Sequence, residues 1–108
     1  MSSDLEKTWR ERLVKNNLDL IVLSLLQPKP KWGYEINLEI RDKFGVYLSA
    51  GTLYPLLHSL EEKGYLKGSL EPETGRGRRI LQITSSGRSF LSAGARTAQE
   101  LSSKLKVE

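Results

Sequence analysis

The 108-residue sequence predicts a mainly α-helical fold that carries one β-hairpin. Within Leu48–Glu61 the leucines recur at helical spacing, which indicates a helix with one narrow apolar stripe. Lys63-Gly64 signals the end of this helix, and directly after it the runs Tyr65–Glu71 and Arg78–Thr84 enclose a loop that contains glycine, proline and arginine, a pattern typical of a hairpin. A helix followed at once by such a hairpin, or wing, is the core of a winged helix-turn-helix.

Composition narrows the function classes that the sequence allows. Lys and Arg number 17 against 13 Asp and Glu, and the resulting net charge of +4 favours a polyanionic partner without demanding one. The chain has no cysteine, so we expect neither disulfides nor a thiolate metal site. Ser2–Trp9 is polar, unlike a signal peptide, and no apolar run approaches the ~18 residues of a membrane span. We therefore expect one domain in the cytoplasm, without a membrane partner.

Residues 1–15 are predicted to form an amphipathic helix. Leu5, Trp9 and Leu13 lie four residues apart and so mark one face of that helix. We expect this face to pack against another element, such as a second subunit, and assign the three residues to dimerisation. Binding of a ligand by Trp9 is the alternative interpretation.

Two further helices complete the helix-turn-helix ahead of the hairpin. Leu18–Leu26 is apolar almost all round, which predicts a buried core helix that the prolines of Gln27–Lys31 bring to an end. Gly33–Phe44 has an inner apolar stripe and mixed charges outward, and Gly45 is expected to end that helix. Residues 16–84 are therefore predicted to form one winged helix-turn-helix domain.

Residues 85–108 are predicted to form a C-terminal dimerisation helix. Thr84–Ser86 can cap a helix that runs from about Gly87 to Lys104. On one side of it, leucines and small residues follow a three-four spacing, so two such helices can approach closely. The residues assigned to this seam are Leu91, Gly94, Ala98, Leu101 and Leu105.

The face of the Leu48–Glu61 helix opposite its leucines is the candidate functional surface. Its side chains are small near the N-terminus of the helix, where Ser49 is a plausible N-cap. Further along, Tyr54 and His58 offer two aromatic groups that can form hydrogen bonds. Such a helix can fill a DNA major groove while the arginines of the hairpin reach phosphates or a narrow minor groove. The predicted DNA contacts are Ser49, Gly51, Thr52, Tyr54, Pro55 and His58 on the helix and Lys67, Arg76, Arg78 and Arg79 on the hairpin.

Each of these assignments has a purely structural alternative. Tyr54 and His58 could be buried, hydrogen-bonded residues. Ser49 and Thr52 could serve only as helix caps, although a cap can also hold a phosphate, and the hairpin arginines could be solvated loop charges. His58 is the only histidine, so we predict neither a metal site nor a cofactor. No grouping of nucleophile and base and no phosphate-binding glycine fingerprint predicts an enzyme.

Several segments resemble the PadR family of transcriptional regulators in order and in register. These segments are Gly33–Ile36, Gly51–Leu57, Leu60–Gly64, Gly75–Arg79 and Leu81–Gly87. The resemblance runs from about Leu18 to Leu91 and implies a winged-helix fold, homodimerisation through terminal helices, and binding of a pseudo-palindromic operator, usually for repression. Trp32 stands where the family often has histidine. The short C-terminal helix is similar to the compact subgroup, in which aromatic residues of that helix can line a drug-binding pore; here the helix has only Phe90.

Two functional hypotheses follow from the sequence. In the first, the protein is a sequence-specific, double-stranded DNA-binding transcriptional regulator, a repressor that acts as a homodimer. In the second, the winged helix is a protein-interaction module without DNA binding, because folds of this kind also serve that role. The sequence identifies neither an operator nor a small-molecule effector.

Overall fold

The computed structural model describes residues 3–70 and 78–108 of the chain. These residues contain five helices and three short strands. In chain order they are α1 (Ser3–Asn16), α2 (Leu18–Leu25), β1 (Lys31–Trp32), α3 (Gly33–Phe44), α4 (Ala50–Glu62), β2 (Leu66–Leu70), β3 (Arg79–Ile83) and α5 (Ser85–Lys104). The predicted fold class, a mainly α-helical winged helix-turn-helix, is confirmed. Within these same residues, no helix combines the length and apolarity needed to cross a membrane.

The sheet has one more strand than the sequence predicted. β2 and β3 form the antiparallel hairpin, and β1 pairs antiparallel with the other edge of β3, so the strand order is β1-β3-β2. Pro28 and Pro30 predicted only an irregular connection, and a strand of two residues is too short to produce an alternating pattern. Because Trp32 pairs with Ile80, this extra strand brings Trp32 to the base of the wing.

The core lies where α2, α3 and α4 meet the sheet. Leu81 and Ile83 of β3 close it on the sheet side, at 4% and 6% exposure. The helices contribute side chains with 0% exposure, namely Val22, Leu23, Ile36, Ile40 and Leu53. The leucines of α4 pack in this core, so the opposite face of α4 is exposed to solvent.

Glycines in the left-handed region end two helices, as the sequence predicted. Gly45 (φ 67°) follows α3 and Gly64 (φ 80°) follows α4, a conformation that glycine adopts readily because it has no Cβ. Thr84 caps α5 as expected. Its hydroxyl oxygen accepts from the Gly87 amide at 3.0 Å, and the hydroxyl donates to the Gly64 carbonyl at 2.6 Å.

Ser49 precedes α4 but does not cap it through its side chain. The Ser49 hydroxyl instead lies 3.1 Å from the Thr52 hydroxyl. The backbone carbonyl of Ser49 accepts the first helical bonds, from the amides of Thr52 and Leu53 at 3.0 Å each. The predicted position of Ser49 is therefore right, and the predicted hydrogen bond from a backbone amide to its side chain is wrong, because the two hydroxyls pair with each other.

The first three turns of α5 pack on the monomer's own α2. Leu91 is 9% exposed and lies in the core, and a Cβ at Gly94 would lie 2.5 Å from Leu20. We predicted that Leu91 lies on a seam that meets a partner helix; it lies instead in the core of its own chain, because α5 first packs back onto α2. Further along α5, Leu101 and Leu105 are 63% and 69% exposed.

Lys31 is a buried charge that joins α2 to α3. Its side chain is 7% exposed, and Nζ donates to the Leu25 carbonyl at 2.8 Å and lies 2.5 Å from Glu39 Oε1. The hydrogen bond from Lys31, helped by the positive charges of Lys31 and Lys43, lowers the pKa of the Glu39 carboxyl below its ordinary value of 4.5.

Glu39→Gln is expected to destabilise the protein at neutral pH by about 3 kcal/mol, because it leaves the Lys31 ammonium buried without its anion. A carboxyl whose pKa is lowered on folding contributes stability that is present above pH 4.5 and is lost as the pH falls through the folded-state pKa. Urea unfolding of both proteins at neutral pH and well below pH 4.5 measures this difference. The two stabilities should converge in acid; a difference that stays constant with pH would contradict the assignment.

Candidate nucleic-acid interface

The face of α4 opposite its leucines is exposed. Leu53, Leu57 and Leu60 are at most 4% exposed, whereas Tyr54 is 49% exposed and the His58 side chain is 75% exposed. The alternative in which Tyr54 and His58 are buried is therefore wrong. We name as the recognition face the exposed residues Ser49, Gly51, Thr52, Tyr54, Pro55 and His58.

The side chains at the N-terminal end of the recognition face are small, and two of them, Ser49 and Thr52, carry hydroxyl groups. A Cβ at Gly51 would meet only the Ser49 hydroxyl, at 3.8 Å, so another backbone can approach closely at this point. The N-terminus of a helix also carries partial positive charge from its free amides, which favours a phosphate. Close approach and favourable charge thus coincide at the start of α4.

Tyr54 is held in place by Gly33 at the start of α3. A Cβ at Gly33 would lie 2.6 Å from Cε1 of Tyr54 and 3.2 Å from its hydroxyl oxygen, so a side chain at residue 33 would displace the ring from this position. Tyr34 is 56% exposed, and its ring centroid lies 5.8 Å from that of Trp32. The start of α3 therefore adds two aromatic side chains beside Tyr54. Sequence reasoning missed both, because no local pattern places the start of α3 next to α4.

The four cationic residues predicted on the wing do not share one environment. The guanidinium of Arg78 lies 3.8 Å from the centre of the Trp32 ring, a cation–π contact. Arg79 forms an ion pair with α4. Lys67 is exposed on β2, and Arg76 lies outside the described residues.

An open cleft of about 320 Å³ separates the base of the wing from α4 and the start of α3. Its wing side carries Arg78 and Arg79, and its helix side carries His58 and Glu61. Glu62 Oε1 lies 3.3 Å from His58 Nε2 and adds to the negative charge at the C-terminal end of α4. Positive charge therefore lies on the wing and at the start of α4, which directs a polyanion to the N-terminal half of that helix.

The chemistry of this surface is that of binding by shape and charge. Across the described part of the chain, no three His, Cys, Asp or Glu side chains lie close enough to hold a metal ion. The groups that the surface presents are hydroxyls, aromatic rings, an imidazole and guanidinium groups. These groups contact phosphates, sugars and base edges in protein–DNA complexes.

A second exposed surface lies between α1 and α5. It is an apolar groove of about 750 Å³, which we name the terminal-helix groove. Its lining includes Leu13, Asn17, Phe90, Gly94, Ala98, Leu101 and Leu105. Leu5 and Trp9 of α1 are also exposed, at 68% and 54%. An exposed apolar surface of this extent is typical of an interaction site.

The fold defines a winged helix-turn-helix protein in which α4 occupies the position of the recognition helix. The chain belongs to the PadR-like family of transcriptional regulators, whose sequence profile matches residues 22–93. That match covers the helix-turn-helix, the wing and the first part of α5. The resemblance found in the sequence is thereby confirmed, and the family to which the chain belongs is one of transcriptional regulators.

Proteins from several bacteria are similar to this chain in sequence or in fold. A transcriptional regulator of Mycobacterium tuberculosis is 41% identical over 59 residues, which is 55% of each chain. A PadR family transcriptional regulator from Eggerthella lenta has a TM-score of 0.81 at 27% identity, over 94% of this chain and 88% of that one. Bacillus subtilis PadR, solved in complex with operator DNA, shares the fold with a TM-score of 0.66 at 21% identity, over 72% of this chain and 45% of that one.

Proposed function

We propose that this chain is a cytoplasmic repressor that binds a pseudo-palindromic operator in double-stranded DNA as a homodimer. The observation that carries the proposal is the exposed recognition face of α4 beside a wing that bears arginines. Membership in a family of transcriptional regulators supports it, as does the shared fold with Bacillus subtilis PadR, which was solved with operator DNA.

In this proposal α4 lies in the major groove and the wing lies over the adjacent backbone or minor groove. Ser49 and Thr52 contact a phosphate at the start of the helix, and Gly51 allows the backbone to come close. Tyr54 and His58 reach sugar, phosphate or base edges further along. The recognition face has no Asn, Gln or Arg, the side chains that read base edges bidentately. Specificity is therefore expected to depend strongly on the shape and deformability of the DNA.

The terminal-helix groove is proposed as the dimer interface, with a second copy of the chain as its occupant. Its lining is mostly apolar and includes the polar side chains of Asn17, Thr97 and Ser102, a combination found in interfaces between subunits. The residues expected to contact the second copy are Leu5, Trp9, Leu13, Ala98, Leu101 and Leu105. Such a dimer would place two recognition helices in successive major grooves, roughly 34 Å apart. An effector that altered this distance would change affinity by shifting the dimer between two states.

Selection of bound duplexes from a random pool tests the proposal, followed by titration of the selected duplex at several salt concentrations. We expect a pseudo-palindromic sequence whose half-sites lie about one helical turn apart. With about six phosphate contacts per dimer, affinity should fall about 1,000-fold between 50 and 200 mM salt. A protein-interaction module would bind no duplex at micromolar concentration, and that outcome would refute the proposed function.

A further inference from the structure

Arg79 lies on the inward face of the wing. Side chains alternate along a strand, and Leu81 and Ile83 of β3 are buried against the core. Arg79 continues the same face two residues earlier, at the end of the strand that is further from the core. Its guanidinium consequently meets α4, and Arg79 is not directed away from the protein.

Two contacts hold the Arg79 side chain there. Its Nη2 donates to Glu61 Oε2 near the C-terminal end of α4. The guanidinium also lies across Gly68 of β2, where a Cβ would come within 2.8 Å of Arg79 Cζ and 3.0 Å of Glu61 Oε1. The room that the ion pair occupies therefore exists because residue 68 has no side chain.

Binding of a phosphate by Arg79 would require this ion pair to break. The Glu61 side chain is 28% exposed, so the unpaired carboxylate would be partly desolvated and would repel the bound polyanion. Arg78 differs, because a neutral ring holds it and, among the described residues, no carboxylate pairs with it. The two neighbouring arginines are thus suited to different roles.

We propose that Arg79 is a positioning residue that forms, with Glu61 and Gly68, a strut between the wing and the recognition helix. The strut sets the angle at which the wing, with Arg78, meets the duplex when α4 lies in the groove. This inference rests on the proposed function, and it replaces the expectation that Arg79 itself contacts DNA. A half-exposed ion pair adds little to global stability, so the strut acts through orientation.

Gly68→Ala separates the two roles of Arg79, because it displaces the guanidinium and leaves every charge in place. The strut predicts that Gly68→Ala, Arg79→Ala and Glu61→Ala each weaken operator binding about 10-fold, since the pair occurs twice in a dimer. The dependence of affinity on salt should not change in Gly68→Ala, which removes no charge, and the slope should change by less than about one unit in Arg79→Ala and Glu61→Ala, since no phosphate contact is lost. The double variant Glu61→Ala/Arg79→Ala should bind no more weakly than the weaker single variant, because the two residues act as one unit.

A phosphate contact by Arg79 predicts different results. Arg79→Ala would then lower the slope of log K against log salt by about 0.9 for each phosphate lost. Glu61→Ala would free the Arg79 guanidinium to contact a phosphate, so the affinity for the operator would stay unchanged or rise. Either result overturns the strut.

A measurement without DNA tests the strut independently of the proposed function. In a Trp9→Phe background Trp32 is the only tryptophan, and its emission reports the base of the wing through the stacked Arg78. Arg79→Ala and Gly68→Ala should shift this emission toward that of Arg78→Ala while circular dichroism stays unchanged. Emission equal to that of the background protein overturns the strut. Failure of the unmodified chain to bind any duplex would refute only the proposed function.

Discussion

Leu101→Glu is expected to convert the proposed dimer into monomers and to lower operator affinity at least 100-fold. Leu101 is 63% exposed in the monomer and lines the terminal-helix groove. In a two-fold symmetric dimer the substitution occurs twice, so two carboxylates would be buried without partners, at about 3 kcal/mol each. Because each 1.4 kcal/mol is a factor of ten, the dimer dissociation constant should rise about 10,000-fold. A monomer would engage one half-site and lose the gain from binding both.

Sedimentation at micromolar concentration measures the oligomeric state, and titration of the selected operator measures the affinity. Gln99→Glu is the matched control, since it makes the same change in charge two residues away, about 200° around α5. Gln99 is exposed and lies off the terminal-helix groove, so this variant should remain dimeric and bind normally. If Leu101→Glu also remains dimeric, α5 is not the interface.

The recognition helix is the part of the molecule that the sequence predicted best. Leucines at helical spacing determine which side of α4 enters the core, so the exposure of Tyr54 and His58 follows from local pattern alone. The end of the helix at Gly64 also depends only on the local sequence, because a glycine just after α4 readily adopts the left-handed conformation that ends a helix. Features of this kind depend on neighbours in the sequence and are therefore predictable.

The role of α5 was less predictable, because the chain itself covers only part of its apolar stripe. Leu91 and Leu101 share the three-four spacing that predicted a seam, yet the first is 9% exposed and the second 63%. Periodicity identifies the apolar side of a helix but not the surface that covers it. The division lies near Gly94 because Leu20, at the start of α2, packs against that glycine.

The environment of the wing arginines could not be derived from the sequence, because it depends on contacts between distant residues. Composition predicted a cationic wing, but the partner of each arginine depends on the sheet register and on the unpredicted strand β1. Trp32 reaches Arg78 because β1 pairs with β3, and Glu61 reaches Arg79 because Gly68 leaves space between them. Trp32 is also a departure from the family pattern, so the resemblance gave it no role.

Replacing Arg76 and Arg78 together with alanine is expected to produce the largest change in the salt dependence of DNA binding. Arg78 is held at the base of the wing by Trp32, next to the recognition face, and Arg76 precedes it in the part of the wing outside the described residues. If each arginine neutralises one phosphate, a dimer loses four such contacts. The slope of log K against log salt should then fall by about 3.6, and affinity at 0.1 M salt should fall about 1,000-fold.

The matched control removes the same number of charges far from the recognition face. Lys15 on α1 and Arg96 on α5 are exposed and lie off the lining of the terminal-helix groove. The variant Lys15→Ala/Arg96→Ala carries the same net charge as the wing variant, so it reports how much of the effect comes from charge at a distance. We expect its slope to change by less than about one unit, since no phosphate contact is lost. Equal slopes for the two variants would mean that the wing makes no local phosphate contact, and that α4 alone brings the protein to the duplex.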